Sequence, residues 1–326
     1  MYNNQAQNKI TILYHDEIKD LVNDLDLMPI IKEGFIAYSE GRSVVPPVGE
    51  LLFQKPPGDV HIKYGYIDGK DYYVIKIASG FWENEQLGVP NGQGMMLLFN
   101  QKTGQAKAIL LDDAYLTDVR TAVAGAICAD QFTGKVHCIG IIGTGRQARM
   151  QVQYLKNITG CRNVIVWGRN MEKMEKYQSD MMEIGFDVEL SSSPRQVAEK
   201  CNLIITATPS TEPILCGDDI QPGTHITAMG SDTPTKQELD PQILKMADLV
   251  VADSISQCIE RGEISHALRS GAISDETIVE LGNVLNGKEN GRISEDQITV
   301  TDLTGVAVQD IQIATAVFEA YMEIES

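Results

Sequence analysis

Residues 136–159 read VHCIGIIGTGRQARMQVQYLKNIT, and this stretch decides the fold that the sequence predicts. An apolar run ends in the glycine-rich turn GTGRQA at 143–148, and apolar residues at helical spacing follow it. Gly143 allows a sharp turn off the strand, Gly145 lets the backbone approach a bound group, and Ala148 lets the helix pack closely on the strand. A strand, a glycine turn and a helix in this order are typical of a dinucleotide site, where a pyrophosphate lies at the helix N-terminus.

The pattern of elements changes along the chain and predicts two domains. Residues 1–118 contain several consecutive strand-like runs separated by turn signals, which indicate an α+β domain with an antiparallel sheet. From 119 to 304 strands and helices alternate, which predicts a doubly wound α/β domain of Rossmann type. The last segment, 305–326, contains one more amphipathic helix that we expect to pack back on the first domain. We therefore predict a split first domain over 1–118 and 305–326.

Composition and charge narrow the range of partners. The chain of 326 residues has 27 Lys and Arg against 45 Asp and Glu, a formal net charge of −18. Excess negative charge disfavours nucleic-acid phosphates and anionic membranes. No apolar run is long enough to span a bilayer, and the N-terminal MYNNQAQNKI is too polar for a signal sequence. We expect a small-molecule ligand, no nucleic-acid partner and no membrane partner.

The six cysteines bear on compartment and metal binding. None of them forms a C-x-x-C pair, and no group of Cys and His has the spacing of a zinc site. Several lie in apolar runs, where a free cysteine acts as a small core residue. We therefore predict a cytoplasmic protein without a metal site or structural disulfides.

The end of the second Rossmann strand decides between the two nicotinamide cofactors. NAD-preferring sites place Asp or Glu there to bind the ribose 2′-hydroxyl. Here the strand at 163–166 continues into WGRN at 167–170, which has no carboxylate and offers Arg169 to a 2′-phosphate. We predict that NADP(H) is preferred and NAD(H) is possible, although Arg169 as a solvated loop cation is the alternative. The candidate cofactor-binding residues are Gly143, Gly145, Arg146, Gln147, Ala148, Arg169, Asn170, Thr206, Thr208 and Met229.

Three charged residues lie where chemistry is expected. Lys76 interrupts the apolar strand YYVIKIA, and a cation there either faces the surface or needs a buried partner. Arg120 opens the predicted helix at 121–132, and arginine can bind a carboxylate through two parallel hydrogen bonds. Asp232 follows the predicted strand at 225–229, at the sheet edge where ligands bind in open α/β folds. On spacing alone, ordinary ion pairs for the two cations and a capping role for Asp232 remain open.

These residues fall in segments that resemble the ornithine cyclodeaminase/mu-crystallin family. The matching segments are VIK at 74–76, DVRTA at 118–122, GTGRQA at 143–148, GSDTPTKQEL at 230–239, and DSISQC at 253–258 with GE at 262–263. The resemblance implies a homodimer in which the first domain serves substrate binding and dimerisation and the Rossmann domain binds the dinucleotide. It also implies that Arg120 and Lys76 hold a substrate carboxylate, while Asp232 acts as the catalytic group on the substrate nitrogen and its proton.

One departure from the family concerns the carboxylate site. Many members carry an arginine near position 49, where this chain has Gly49. The segment DVHIKY at 59–64 offers His61 and Lys63 instead. Lys63 is therefore a candidate substrate-binding residue in place of the missing arginine.

Two further departures bear on the reaction. Ornithine cyclodeaminases usually have an acidic residue at the end of the second strand and the motif D-C-P-G-K-T, whereas this chain has Arg169 and DTPTKQ at 232–237. These differences favour the branch of ketimine reductases and alanine dehydrogenases. We predict NAD(P)H-dependent reduction of a cyclic imino acid, Δ1-pyrroline-2-carboxylate to L-proline. The alternatives are an ornithine or lysine cyclodeaminase that releases ammonia with recycled NAD, and a ligand-binding protein of low turnover.

Overall fold

The computed structural model describes residues 10–326; the polar segment 1–9, which contains most of the stretch used above against a signal sequence, lies outside the described residues. The strands are β1 (Thr11–Tyr14), β2 (Ser43–Val44), β3 (Gly49–Gln54), β4 (Pro57–Ile67), β5 (Tyr72–Phe81), β6 (Gly92–Asn100), β7 (Ala106–Leu111), β8 (Ile139–Ile142), β9 (Asn163–Trp167), β10 (Asp187–Leu190), β11 (Leu203–Thr206), β12 (Thr211–Leu215), β13 (His225–Ala228), β14 (Gln237–Leu239), β15 (Leu249–Ala252), β16 (Ile278–Glu280) and β17 (Thr299–Asp302). The helices are α1 (His15–Asn23), α2 (Leu27–Ser39), α3 (Tyr115–Phe132), α4 (Arg146–Leu155), α5 (Met171–Glu183), α6 (Pro194–Lys200), α7 (Pro241–Met246), α8 (Ile255–Cys258), α9 (Gly262–Arg269), α10 (Leu281–Leu285) and α11 (Ala307–Glu325).

The chain divides into two compact units. Among the described residues, unit 1 consists of 10–120 and Val306–Ser326, and unit 2 consists of Thr121–Gly305. The division leaves the C-terminal helix α11 in the same unit as the N-terminal part of the chain. The boundary between the units falls inside α3, directly after Arg120.

Unit 1 is built on a seven-stranded sheet. Its strand order is β1-β7-β6-β5-β4-β2, with β3 also paired to β4. Only β1 and β7 run parallel, and the other neighbours are antiparallel. The helix α11 packs on β4, β5 and α2. At Gly34 of α2 a Cβ atom would lie 3.2 Å from the carbonyl oxygen of Val308, so glycine allows α2 and α11 to approach closely.

Unit 2 contains an eight-stranded parallel sheet in the order β10-β9-β8-β11-β13-β17-β15-β16. Along the chain the sheet first grows from β8 towards β10 and then restarts on the other side of β8 with β11. This reversal between β8 and β11 is the topological switch point at which open α/β sheets bind ligands. The predicted fold class, a doubly wound Rossmann-type domain together with an α+β domain, is confirmed.

The prediction for the start of the helix α3 was wrong. The sequence predicted a helix over 121–132 with Arg120 at its start, but α3 begins at Tyr115 and Arg120 lies in its second turn. The cause is Asp112, whose carboxylate accepts the Leu116 N–H at 2.8 Å and so satisfies a free donor of the first turn. The connecting residues Asp113 and Ala114 have left-handed backbone angles, φ 50° and 64°, which are uncommon outside glycine.

Candidate active site

The glycine turn of unit 2 has the backbone geometry that a pyrophosphate requires. Gly143 has φ 122°, and a Cβ atom there would lie 2.7 Å from the carbonyl oxygen of Ala207. Gly145 is the N-cap of α4, where a Cβ atom would meet nothing within 4 Å. Gly145 has no side chain with which to cap this helix N-terminus, where backbone N–H groups and the helix dipole favour an anion. The residues of the turn therefore fit a dinucleotide.

Arg149 holds the glycine turn from the following helix. Its guanidinium donates to the carbonyl oxygens of Thr144 and Gly145, and its Nε lies 2.8 Å from a carboxylate oxygen of Asp180 on α5. The guanidinium also lies over the ring of Tyr177, 5.2 Å from the ring centroid. Sequence reasoning missed Arg149 because it follows the fingerprint, although its place one helical turn after Gly145 was a usable signal.

The other predicted residues of the turn differ in exposure. Arg146 is exposed, Gln147 is half-buried and its Oε1 accepts a bond of 3.5 Å from Gln151, and Ala148 is fully buried. Arg169, after β9, is exposed to solvent. Asn170 caps α5, because its side-chain oxygen accepts the Lys173 N–H at 2.9 Å.

The predicted residues Thr206 and Thr208 are held by one buried carboxylate, that of Glu238 on β14. Their hydroxyl groups donate to it at 2.7 Å each, and the N–H groups of Thr208 and Gly230 donate at 2.7 and 2.9 Å. Glu238 thus joins the segments that leave β11 and β13 at the carboxyl edge of the sheet. The hydroxyl of Thr206 is fully buried in this arrangement, and Met229, also predicted, is 8% exposed.

A second buried carboxylate supports β14 from the helix α9. Glu263 accepts the N–H groups of Glu238 and Leu239 at 2.8 and 3.0 Å. Burial raises the pKa of Glu238 to about 7, and burial together with the charge of Glu238 raises the pKa of Glu263 to about 8. Both residues lie within the segments that resemble the family, but the sequence did not indicate a role for either.

The predicted catalytic residue Asp232 forms an ion pair in the loop after β13. Its Oδ1 lies 2.6 Å from the Nζ of Lys236, and the two side chains are 38% and 19% exposed. His266 and Arg261 fix the same loop through the carbonyl oxygens of Lys236 and Asp232, at 2.8 and 3.4 Å. The loop therefore presents a half-exposed carboxylate beside a fixed cation.

Unit 1 brings the two predicted carboxylate-binding cations together. The Nζ of Lys76 lies 3.3 Å from one carboxylate oxygen of Asp310, and the Nε of Arg120 lies 3.1 Å from the other. All three side chains are buried. Arg120 also donates to the side-chain oxygen of Gln309 at 3.1 Å. Burial and the charge of Arg120 lower the pKa of Lys76, whereas Asp310 opposes that shift.

The structure places Lys63 beside Lys76. The two residues are directly paired across β4 and β5, so their side chains lie on the same face of the sheet. His61 lies on the same strand as Lys63. Its Nε2 is 3.3 Å from a carboxylate oxygen of Glu50, and the two form an ion pair when the imidazole is protonated. Gly49, where many family members have an arginine, lies in β3 opposite Ile62.

The predicted residues therefore form two groups. Lys63, Lys76 and Arg120 lie together in unit 1, whereas Asp232 and all predicted cofactor residues belong to unit 2. Within residues 10–326 no helix is long and apolar enough to cross a membrane. The same residues contain no cluster of three or more His, Cys, Asp or Glu side chains that could hold a metal ion.

The strand order and the glycine turn of unit 2 define an α/β protein of the Rossmann class, accompanied by a second unit with a buried cation pair. The chain belongs to the ornithine cyclodeaminase/mu-crystallin family, which it matches over residues 8–325. The family includes cyclic imino acid reductases and cyclodeaminases.

Three similar proteins illustrate this breadth. The chain is 39% identical over 313 residues to an uncharacterized cyclodeaminase of Sinorhizobium fredii, covering 94% of this chain and 95% of that protein. An archaeal alanine dehydrogenase dimer with bound NAD has a TM-score of 0.89 and 31% identity, with 97% of each chain covered. The Δ1-pyrroline-2-carboxylate reductase of Thermococcus litoralis, in complex with NADH and L-proline, has a TM-score of 0.91 and 25% identity, with 97% and 98% covered.

Proposed function

We propose that this protein reduces an α-imino acid with a nicotinamide cofactor, and that Δ1-pyrroline-2-carboxylate, which gives L-proline, is its preferred substrate. The observation that carries the proposal is the buried pair of Lys76 and Arg120. Two buried cations around a single carboxylate leave N–H donors for a second carboxylate, and an α-imino acid supplies one next to its C=N bond.

In this proposal the chain's own residues bind, orient and balance charge. Lys76 and Arg120 bind the substrate carboxylate, with Lys63 as a third cation, and fix the position of the C=N carbon. Asp232 stabilises the positive charge of the protonated imine nitrogen, since the cation of Lys236 favours the ionised form of its carboxylate. The nicotinamide cofactor, when bound, supplies the hydride.

The proposed cofactor is NADP(H), with NAD(H) as an accepted second. Support comes from the segment after β9, which has no carboxylate for a ribose 2′-hydroxyl and exposes Arg169. The similar structures described above contain NAD or NADH, so the proposed preference for a 2′-phosphate rests on this chain's own Arg169 and not on them. The glycine turn and Arg149 would serve either cofactor, because both contain the pyrophosphate.

A second candidate is an alanine dehydrogenase acting on the linear imine of pyruvate and ammonia. It is favoured by the 31% identity to the archaeal alanine dehydrogenase. The carboxylate site and the role of Asp232 would be the same for both substrates. They differ in the ring that joins the imine carbon and nitrogen of the cyclic substrate, where the linear imine has a methyl group on carbon and a hydrogen on nitrogen.

The deciding experiment follows the absorbance of the reduced nicotinamide. Purified protein is mixed with NADPH or NADH and with Δ1-pyrroline-2-carboxylate, or with pyruvate and ammonia. Faster oxidation with the cyclic imine supports the proposal, and faster oxidation with pyruvate and ammonia supports the second candidate. Ammonia release from ornithine with catalytic NAD, without oxidation in the other assays, would contradict both.

The variant Arg120→Ala separates binding from chemistry in the same assay. Loss of one charged partner is expected to raise the KM for the imino acid about 10- to 100-fold, with the KM for the cofactor unchanged. Arg195→Ala is a matched control, because Arg195 is an exposed arginine of α6 paired with Glu199. An unchanged KM for the imino acid in Arg120→Ala would remove the carboxylate assignment.

We also propose that the protein is a cytoplasmic homodimer in which unit 1 provides the subunit contact. Support comes from β3, where Leu51, Leu52 and Phe53 are 55%, 74% and 41% exposed. Three consecutive exposed apolar residues on one strand are typical of a surface that another chain covers.

A further inference from the structure

The first turn of α11 supplies a buried anion to the cation pair. Asp310 is 1% exposed, and its two carboxylate oxygens lie 3.3 Å from the ammonium of Lys76 and 3.1 Å from the guanidinium of Arg120. A carboxylate in the first turn of a helix is also stabilised by the helix dipole. One residue of α11 is thus shared by two cations that come from β5 and α3.

The two cations contact Asp310 in different ways. The ammonium of Lys76 interacts with the Asp310 carboxylate both by charge and as a hydrogen-bond donor, and both interactions raise the pKa of Lys76. Among the described residues, the Nε of Arg120 has no aligned acceptor, although it lies at ion-pair distance from Asp310. Buried donors without aligned partners are rare and costly. Asp310 therefore balances the charges of both cations and leaves the Nε of Arg120 without a directed hydrogen bond.

The charges around Lys76 make this balance critical. Lys63 pairs with Lys76 across β4 and β5, and Arg120 adds a further cation. The anions that oppose these cations are Asp310 and Asp112, whose charges raise the pKa of Lys76. Asp112 precedes α3 and accepts the Leu116 N–H of its first turn. Burial raises the pKa of Asp112 to about 6, so this second anion is itself easily lost on acidification. Asp310 is the largest influence that opposes deprotonation of the buried Lys76.

We propose that Asp310 is a positioning residue that keeps Lys76 charged and holds it at a fixed place relative to Arg120, so that both cations can receive the substrate carboxylate. This inference rests on the proposed function, because it concerns the same carboxylate site. Asp310 acts through Lys76 and Arg120 and does not itself touch the substrate.

The first consequence is a change in how substrate binding depends on pH. In Asp310→Asn the ammonium of Lys76 loses its main counter-ion, and removal of that charge lowers the pKa of Lys76 further. The KM for the imino acid is then expected to rise by up to about tenfold per pH unit above the new pKa, with kcat changed much less. Asp310→Glu keeps the charge and is expected to restore the pH profile of the wild type.

The second consequence can be measured without substrate or cofactor, by chemical denaturation. In the wild type Lys76→Met removes a partner of Asp310 and is expected to lower the free energy of unfolding. In Asp310→Asn the same substitution removes a buried cation that has lost its counter-ion, and it is expected to raise the free energy of unfolding. The expected result is a reversal of sign between the two backgrounds.

The sign of the pH dependence follows from the lowered pKa of Lys76. The unfolded chain takes up the proton at higher pH than the folded protein, so Asp310→Asn becomes less stable relative to Asp310→Asn/Lys76→Met as pH falls below the ordinary lysine pKa of 10.5. If Asp310→Asn does not fold, Asp310→Glu provides the second background. There Lys76→Met is expected to destabilise as in the wild type, and stabilisation would overturn the proposal.

A purely structural role for Asp310 gives a different pattern. Lys76→Met would then cost the same in both backgrounds, and the rise in KM for Asp310→Asn would be the same at every pH. Either result overturns the proposal. The denaturation cycle remains decisive if no imino acid is turned over, so failure of the proposed function and failure of this inference can be told apart.

Discussion

The ammonium of Lys236 lies 2.6 Å from the carboxylate of Asp232, and a cation at that distance stabilises the ionised carboxylate over the protonated acid. Asp232 is therefore suited to stabilise a positive imine nitrogen by its charge. Asp232→Asn keeps the shape and removes the charge, so we expect kcat for the imino acid to fall about 100-fold or more. Steady-state rates and the NADPH dissociation constant check this, and the latter is expected to be unchanged.

The control for this prediction is a charge-neutralising change of the same kind elsewhere in unit 2. Asp275→Asn alters an exposed aspartate outside the loop after β13 and is expected to leave kcat unchanged. Lys236→Met keeps the carboxylate of Asp232 and should reduce kcat less than Asp232→Asn. A fully active Asp232→Asn enzyme would rule out the catalytic role of this residue.

The predicted preference for NADPH over NADH depends on Arg169. Its exposed guanidinium can form a charge-assisted hydrogen bond to a 2′-phosphate, an interaction of about 1.5 to 3 kcal/mol. Arg169→Ala is therefore expected to raise the KM for NADPH about 10- to 100-fold while the KM for NADH stays near the wild-type value. Cofactor titrations at fixed imino acid concentration measure both, and an equal rise in the two values would contradict the 2′-phosphate assignment.

Lys76 and Arg120 show how much of the candidate site can be predicted from the sequence alone. Lys76 and Arg120 could be singled out because each is a charge in an apolar or junction segment that needs a partner. The same argument applies to Asp310 in GVAVQDIQIATA at 305–316, a lone charge in an apolar helical segment. The partnership was out of reach because Asp310 lies nearly 200 positions along the chain from Arg120, and only the packing of α11 on the sheet brings the two together.

At the scale of secondary-structure elements, the carboxylate of Glu263 joins the helix α9 to the strand β14 by hydrogen bonds. Glu263 of α9 accepts two backbone N–H groups of β14, and burial raises its pKa from its usual 4.5 to about 8. Stability from a raised pKa is fully present below about 4.5 and is lost as pH rises through about 8. We therefore expect the wild type to lose stability relative to Glu263→Gln over this range, by at most about 1.4 kcal/mol per pH unit.

Denaturation at a series of pH values measures this difference. Glu276→Gln changes an exposed glutamate of the same unit and is expected to give a difference from the wild type that is nearly independent of pH. A constant difference between the wild type and Glu263→Gln would mean that Glu263 is ionised throughout, with its two N–H donors outweighing its burial.

The strand β17 was not predicted, and its composition explains why. It reads TVTD at 299–302, so three of its four residues are polar and it lacks the apolar run by which buried strands are recognised. All four residues are nevertheless buried in the middle of the parallel sheet, and His225 accepts or donates a hydrogen bond of 2.8 Å with Thr299. The hydrogen bond of Thr299 crosses to β13, and the carboxylate of Asp302 accepts the Ile264 N–H of α9 at 2.8 Å. A hydrophobic pattern does not reveal such polar partners.

For the whole molecule, the alternation of strands and helices was enough to predict the parallel sheet of unit 2. Strand order was less accessible. The reversal at β8 follows from the position of the glycine turn, but the insertion of β17 between β13 and β15 depends on a segment that looks like a polar loop. The fold class can therefore be predicted from the alternation of strands and helices along the chain. The strand order also depends on pairing between strands that are far apart in sequence.

The proposed homodimer can be tested through the oligomeric state of the whole molecule. The strand β3 is paired only with β4 among the described residues, so it offers a free edge together with the exposed Leu51, Leu52 and Phe53. We expect the wild type to scatter light as a dimer and Leu52→Glu to shift towards monomer, because a buried charge without a partner opposes association. Ile324→Glu is the matched control, since Ile324 is 73% exposed against 74% for Leu52 but lies at the end of α11. Dissociation by Ile324→Glu and not by Leu52→Glu would place the subunit contact on the C-terminal helix, and a monomeric wild type would mean that the apolar surface of β3 serves another purpose.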